Sequence, residues 1–262
     1  MKRAYADIPE GQVHYRYDGT GEPLLLLHQT PASSDEYSLL IPHLAKACRV
    51  IAMDTMGYGM SDSPPANPTI ADYARYAKEF LAAIGVKKAS VFGHHTGATI
   101  AVEMAAAYPE LVDNLVLSGC PLYTKEAREQ RQKADAGRVA EFKADGSDIM
   151  GLWNVLAKYN PDAGPGFWRK TLIAGLQPGL RSEDAHHAVF HYDEQKRLPL
   201  IKAPTLILSG SKDIFVTLLD ATKKLVPRSR TQVIEGPGSM IALTAPEQLA
   251  NAMTEFLKKP GV

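Results

Sequence analysis

Apolar residues along this chain fall into short blocks that alternate between two periods. Pro23-Leu24-Leu25-Leu26-Leu27-His28 and Arg49-Val50-Ile51-Ala52-Met53-Asp54 are continuous apolar runs closed by turn residues. Runs this short and this apolar suit strands covered on both faces. Ala89-Ser90-Val91-Phe92 and residues 114–118, 204–209 and 231–234 repeat the pattern. Residues 3–8 and 12–17 read instead as an edge hairpin turning at Glu10-Gly11. Helical spacing separates these blocks. Thr69 and Asp72 cap a helix with Tyr73, Tyr76, Phe80 and Ile84 on its apolar face, stopped at Gly85. Residues 96–107 form an Ala-rich helix, and residues 246–257 place Leu249, Met253 and Phe256 on one side of another. Ser33 with Glu36 has the spacing of a capping box and predicts a helix that Pro42 breaks or restarts.

Strands alternating with helices on this scale predict an α/β fold with a mostly parallel sheet between two helical layers. The alternation fails from about Pro121 to Arg197, where charge and aromatic residues dominate and helical patches at 125–134 and 182–191 fit best. The predicted organisation is a core of residues 1–120 and 201–262 with a helical cap at 121–200.

Composition narrows the function classes. Lys plus Arg and Asp plus Glu number 29 each, so no charge footprint points to nucleic acid or an anionic membrane. No apolar stretch approaches the ~20 residues needed to span a bilayer. The start, Met1-Lys2-Arg3-Ala4-Tyr5-Ala6-Asp7, lacks a signal-peptide apolar region. Cys48 and Cys120 are far apart and without metal or redox spacing, which reads as buried thiols in a reducing cytoplasm. A cytoplasmic protein taking a small-molecule ligand, compatible with a homo-oligomer, is expected.

The chemistry gathers at Gly93-His94-His95-Thr96-Gly97-Ala98, between the run at 89–92 and the Ala-rich helix. A strand ending in Gly-x-X-x-Gly and running straight into a helix is the layout of a nucleophile elbow, whose central side chain is lifted above the sheet. The usual centre is serine, and here it is His95.

With the elbow in place, nearly the full length of the chain resembles an α/β-hydrolase-fold protein. His28-Gln29-Thr30-Pro31 is similar to that family's oxyanion loop His-Gly-x-Pro. The loop from Asp54 to Pro64 is similar to its Asp-x-x-Gly-x-Gly-x-Ser signature. Residues 204–213 resemble the stretch that carries the family's acid, which places Asp213 there. Gly236-Pro237-Gly238-Ser239 resembles the loop that ordinarily ends in the catalytic histidine, so Ser239 stands at that position.

The resemblance implies a pocket between cap and sheet and an oxyanion hole made by the backbone N–H groups of Gln29 and Thr96, neither of which depends on side-chain identity. His95 excludes the elbow-aspartate reactions of haloalkane dehalogenases and epoxide hydrolases, and also a plain Ser-His-Asp esterase. Its imidazole, titrating near pH ~6.5, suits a general base, with Asp213 as orienter and Ser239 as positioning group. His28 reads as a brace of the oxyanion loop and His94 as a pocket wall. The sequence spacing of these histidines matches no zinc motif, so neither metal nor organic cofactor is expected. The leading reading is a hydrolase-like enzyme acting on a small, partly apolar carbonyl compound by hydrolysis or related C–O or C–C cleavage. A catalytically silent ligand-binding protein, and a lyase or cofactor-independent oxygenase, are the alternatives.

Overall fold

The apolar runs become strands. The computed structural model describes residues 1–135, 141–159 and 161–260. Among them, β1 (Lys2–Ile8), β2 (Gly11–Asp18), β3 (Pro23–Leu27), β4 (Arg49–Met53), β5 (Ala89–His94), β6 (Val112–Ser118), β7 (Thr205–Gly210) and β8 (Ser229–Ile234) form one sheet in the order β1-β2-β4-β3-β5-β6-β7-β8. The β1–β2 and β2–β4 pairs are antiparallel and the others parallel, so β5 lies near the centre. Every residue of β5 is buried, as a strand flanked on both sides and covered on both faces requires.

The helices are α1 (Ile41–Leu44), α2 (Ile70–Ala83), α3 (Thr96–Ala107), α4 (Lys125–Asp135), α5 (Ser147–Tyr159), α6 (Gly164–Leu176), α7 (Asp184–Phe190), α8 (Glu194–Arg197), α9 (Leu219–Leu225), α10 (Ile241–Thr244) and α11 (Pro246–Lys258). Alternation of side chains along the strands fills two separate cores. Val91 and Leu25 face the core that takes Tyr73, Phe80 and Ile100, whereas Phe92 and Leu26 face the one that takes Tyr37, Leu249 and Phe256. Thr69 caps α2 as predicted, with its side chain accepting from the Asp72 N–H and Asp72 answering to the Thr69 N–H.

The described residues between β6 and β7 carry helices and 3-10 turns and no strand. Residues 136–140 and 160, which the expected cap includes, lie outside the described residues. Trp153 and Trp168 pack edge to face there at 5.6 Å, joining α5 to α6. Among the described residues no helix is long and apolar enough to cross a membrane.

One local expectation is corrected. Ser33 caps a single 3-10 turn, Ser34–Tyr37, by accepting from the Asp35 N–H, and no capping box forms. Glu36 does not reach back to the cap because its carboxylate is committed elsewhere, to His94 and to the Gln29 backbone.

Candidate active site

The elbow follows from three close approaches. β5 must turn into α3 within one residue, and His95 takes φ 49° and ψ −112°, a left-handed conformation that costs a side-chain-bearing residue ~1–3 kcal/mol. A Cβ at Gly97 would lie 2.0 Å from the Leu27 carbonyl oxygen, and one at Gly93 2.2 Å from the Gly97 oxygen. Only glycine lets helix and strand come this near. The turn is tied down where the His95 N–H donates to the Ser118 carbonyl at 3.0 Å.

Asp213 reaches the same place from the end of β7. Its loop turns back by the Asp213 N–H donating to Gly210 at 3.1 Å. One carboxylate oxygen serves that loop, accepting from the Phe215 N–H at 2.8 Å. The other crosses to His95: Oδ2 lies 2.8 Å from Nε2. Burial alone would raise the Asp213 carboxyl, but the hydrogen bond and charge of His95 hold it below the usual carboxylate range. An ionised Asp213 accepts, so His95 Nε2 carries the proton and Nδ1 keeps the lone pair. Burial lowers the imidazole below its ordinary 6.5, and the ring is neutral at pH 7.

Room for that ring comes from a residue the sequence did not single out. Gly119 follows β6 at φ 56°, and a Cβ there would lie 2.5 Å from His95 Cδ2 and 2.6 Å from Nε2. Gly119→Ala is therefore expected to push the imidazole off Asp213. It should cost ~1–2 kcal/mol of stability through the left-handed backbone and lower any His95-dependent rate more than tenfold. Thermal melts alongside steady-state kinetics would separate the two effects.

His94, the last residue of β5, is fully buried. Its Nδ1 lies 2.5 Å from Glu36 Oε1, and Glu36 Oε2 accepts from the Gln29 N–H at 3.2 Å. A carboxylate thus occupies one of the two N–H groups expected to receive an oxyanion. The other, on Thr96, heads α3. His28 Nε2 accepts from the Thr55 N–H at 2.9 Å, so its Nδ1 carries the proton and donates to the Gln29 carbonyl at 2.8 Å. Both flanks of the Gln29 peptide are in this way held by buried side chains.

Asp54 anchors the segment carrying Glu36. Its carboxylate accepts from the Ser34 N–H at 2.6 Å, from the Met60 N–H at 2.9 Å and from His14 Nδ1 at 2.8 Å. Burial opposes its ionisation, yet the His14 hydrogen bond and the Ser34 and Met60 N–H donors hold it at about 2. Ser239 is half-buried in the loop that packs over β7, where the Lys212 N–H donates to Pro237. Among the described residues no hydrogen bond links Ser239 to His95 or Asp213.

Comparison with known proteins agrees with this architecture. The model of the alpha/beta hydrolase fold matches residues 22–147. The chain spans about a third (33%) of the length of the uncharacterized mycobacterial proteins it matches at 32% identity over 112 residues. A putative non-heme haloperoxidase of Mycobacterium phage D29 is 36% identical over 213 residues, 76% of this chain and 74% of that protein. The 2-hydroxy-6-oxo-6-(2'-aminophenyl)hexa-2,4-dienoic acid hydrolase of Metapseudomonas resinovorans is 29% identical over 272 residues, 96% of this chain and 90% of the other. A thermophilic esterase from Thermogutta terrifontis superposes with a TM-score of 0.83 at 23% identity, covering 100% of both chains, a likeness of fold. With the mostly parallel sheet described above and a relative 36% identical over 76% of its length, the chain belongs to the alpha/beta hydrolase fold family.

Proposed function

We propose that this protein is a hydrolase of small, partly apolar carbonyl compounds in which His95 acts as general base at the elbow position that the usual motif gives to a nucleophile. The His95 Nε2 to Asp213 Oδ2 hydrogen bond of 2.8 Å carries the reading. It orients the imidazole, stabilises the imidazolium that forms, and leaves Nδ1 as the base. In this scheme Nδ1 takes a proton from water as the water oxygen bonds to the carbonyl carbon. The developing negative oxygen meets the Thr96 N–H, and the same proton then goes to the leaving group as its bond breaks. The helices of residues 121–200 would cover the substrate over the core of 1–120 and 201–262. Ser239 is assigned to positioning substrate from its loop, and His28 and His94 to supporting the Gln29 and Glu36 side of the site.

A base that must be neutral sets the pH dependence. Since the His95 pKa lies below 6.5, kcat/KM is expected to rise with pH through a single ionisation below 6.5 and to be flat above it. The pH profile on any substrate found checks this, and an acid limb centred above 6.5 would contradict it. Screening small esters, enol lactones and conjugated oxo acids in 18O-labelled water tests the reaction itself. Hydrolysis places one labelled oxygen in the product acid.

A second reading, binding without turnover, draws on one observation: the Glu36 carboxylate holds the Gln29 N–H that an oxyanion would need. Native mass spectrometry showing a retained small molecule, unchanged on incubation, would select it.

A further inference from the structure

Two histidine–carboxylate pairs stand side by side at the elbow. His94 pairs with Glu36 at 2.5 Å and His95 with Asp213 at 2.8 Å, and the two ring centroids are 4.4 Å apart at a tilt of 54°. In each pair the carboxylate fixes one ring nitrogen and leaves the other as a lone pair. For His94 that other atom, Nε2, is buried and has no hydrogen-bond partner among the described residues. A buried nitrogen without a partner is costly, and the base chemistry does not use it. One ligand-type atom from each of His94, His95 and Asp213 falls within 4.8 Å of the others.

We propose that this cluster is a binding site for a divalent transition-metal cation of the zinc class, with His94, His95 and Asp213 as ligands. Glu36 is the outer partner that holds the His94 ring by its other nitrogen, the arrangement metal-ligating histidines ordinarily have. Two imidazoles and a carboxylate suit Zn²⁺, Co²⁺ or Fe²⁺ rather than Mg²⁺ or Ca²⁺. Zinc bonds of ~2.0–2.2 Å at tetrahedral angles separate neighbouring ligand atoms by about 3.3 Å. The His95–Asp213 pair, now at 2.8 Å, opens by about half an ångström to meet this. The remaining separations, all within 4.8 Å, close by at most about 1.5 Å. Two carboxylates offset the charge of the ion in a buried setting. His95 is the most accessible member of the cluster, its side chain 13% accessible. The ion takes His95 Nε2 and Asp213 Oδ2, displaces the Nε2 proton to Nδ1 and breaks the hydrogen bond that orients the base, so bound metal and proposed turnover exclude one another. The site itself does not depend on turnover.

The test uses the full chain after chelator treatment, titrated with ZnCl₂ by calorimetry and with CoCl₂ by visible absorption. The expected result is one equivalent bound at micromolar affinity or tighter, with Co²⁺ giving the intense d–d bands of a four- or five-coordinate site. His95→Ala and Asp213→Asn should each weaken binding by about 100-fold or more, and Glu36→Gln by ~10–100-fold although it is not a ligand. His94→Ala and His94→Gln are compared as folded proteins by circular dichroism, so that loss of a ligand is told from loss of the core. His191→Ala, on the surface of the helical segment, should change nothing. No saturable uptake overturns the proposal. So does uptake unaffected by His95→Ala and Asp213→Asn, or uptake abolished by His191→Ala.

Discussion

His95→Ala is expected to lower kcat by ~10²–10⁴-fold on any substrate the protein turns over, the range for loss of a general base, while the protein stays folded. The ring projects from the turn rather than filling a core, and its ring neighbours are His94 at 4.4 Å and Phe215, edge-on, at 5.0 Å. Asp213 loses one hydrogen bond and keeps that from the Phe215 N–H. The strained φ of 49° stays in the alanine variant, and His95→Gly relieves it. The two variants should therefore differ in melting temperature and agree in lost activity. Free imidazole should restore part of the rate by entering the space left behind, a rescue that a purely structural histidine would not show. Normal turnover by His95→Ala would remove His95 from the chemistry.

Glu194→Gln should raise stability, and by more the higher the pH. Glu194 opens α8 and is fully buried against α3, where Thr99 Oγ1 donates to its Oε1 at 3.3 Å. Burial pushes its carboxyl up to about 8, against the Thr99 hydrogen bond and the Arg128 charge, from an ordinary 4.5. The folded state thus holds a proton that the unfolded state releases above pH 4.5. Between those two values the folded protein binds more protons, and its stability falls as pH rises. Glutamine keeps the acceptor for Thr99 and has no proton to lose. The gain should be near zero at pH 4 and on the order of 4 kcal/mol at pH 9, about 10 °C in melting temperature for a chain of this size. Denaturant melts of both proteins at pH 5, 7 and 9 check the trend, and a difference independent of pH would contradict it.

Much of this molecule is written in short-range pattern. The continuous apolar runs at Leu24–Leu27 and Val50–Met53 suit strands covered on both faces, and they are β3 and β4. The glycines of the elbow announced the turn, because a sharp strand-to-helix turn admits nothing larger at Gly93 and Gly97. Asp213 could be placed from its loop, and its hydrogen bond to His95 follows from that register. What stayed hidden depends on partners distant in sequence. Glu36 looked like the far half of a capping box with Ser33, a local bond that loses to a buried imidazole 58 positions away. Gly119 sits just beyond a strand with nothing nearby to mark it, and only the position of the His95 ring gives it a purpose. Glu194 lies in a stretch rich in charge, where neighbouring residues give no sign that one carboxyl is inside.

The role of His95 can be tested without knowing the substrate, by nitrogen NMR on protein carrying 15N-labelled histidine. His95→Gln assigns the resonance by its disappearance. At pH 7 the ring is expected to be neutral, with the proton on Nε2 toward Asp213 and Nδ1 showing the downfield shift of an unprotonated nitrogen. A ring protonated at Nδ1, or an imidazolium with both nitrogens protonated at pH 7, would leave no base at the elbow and would contradict the assignment.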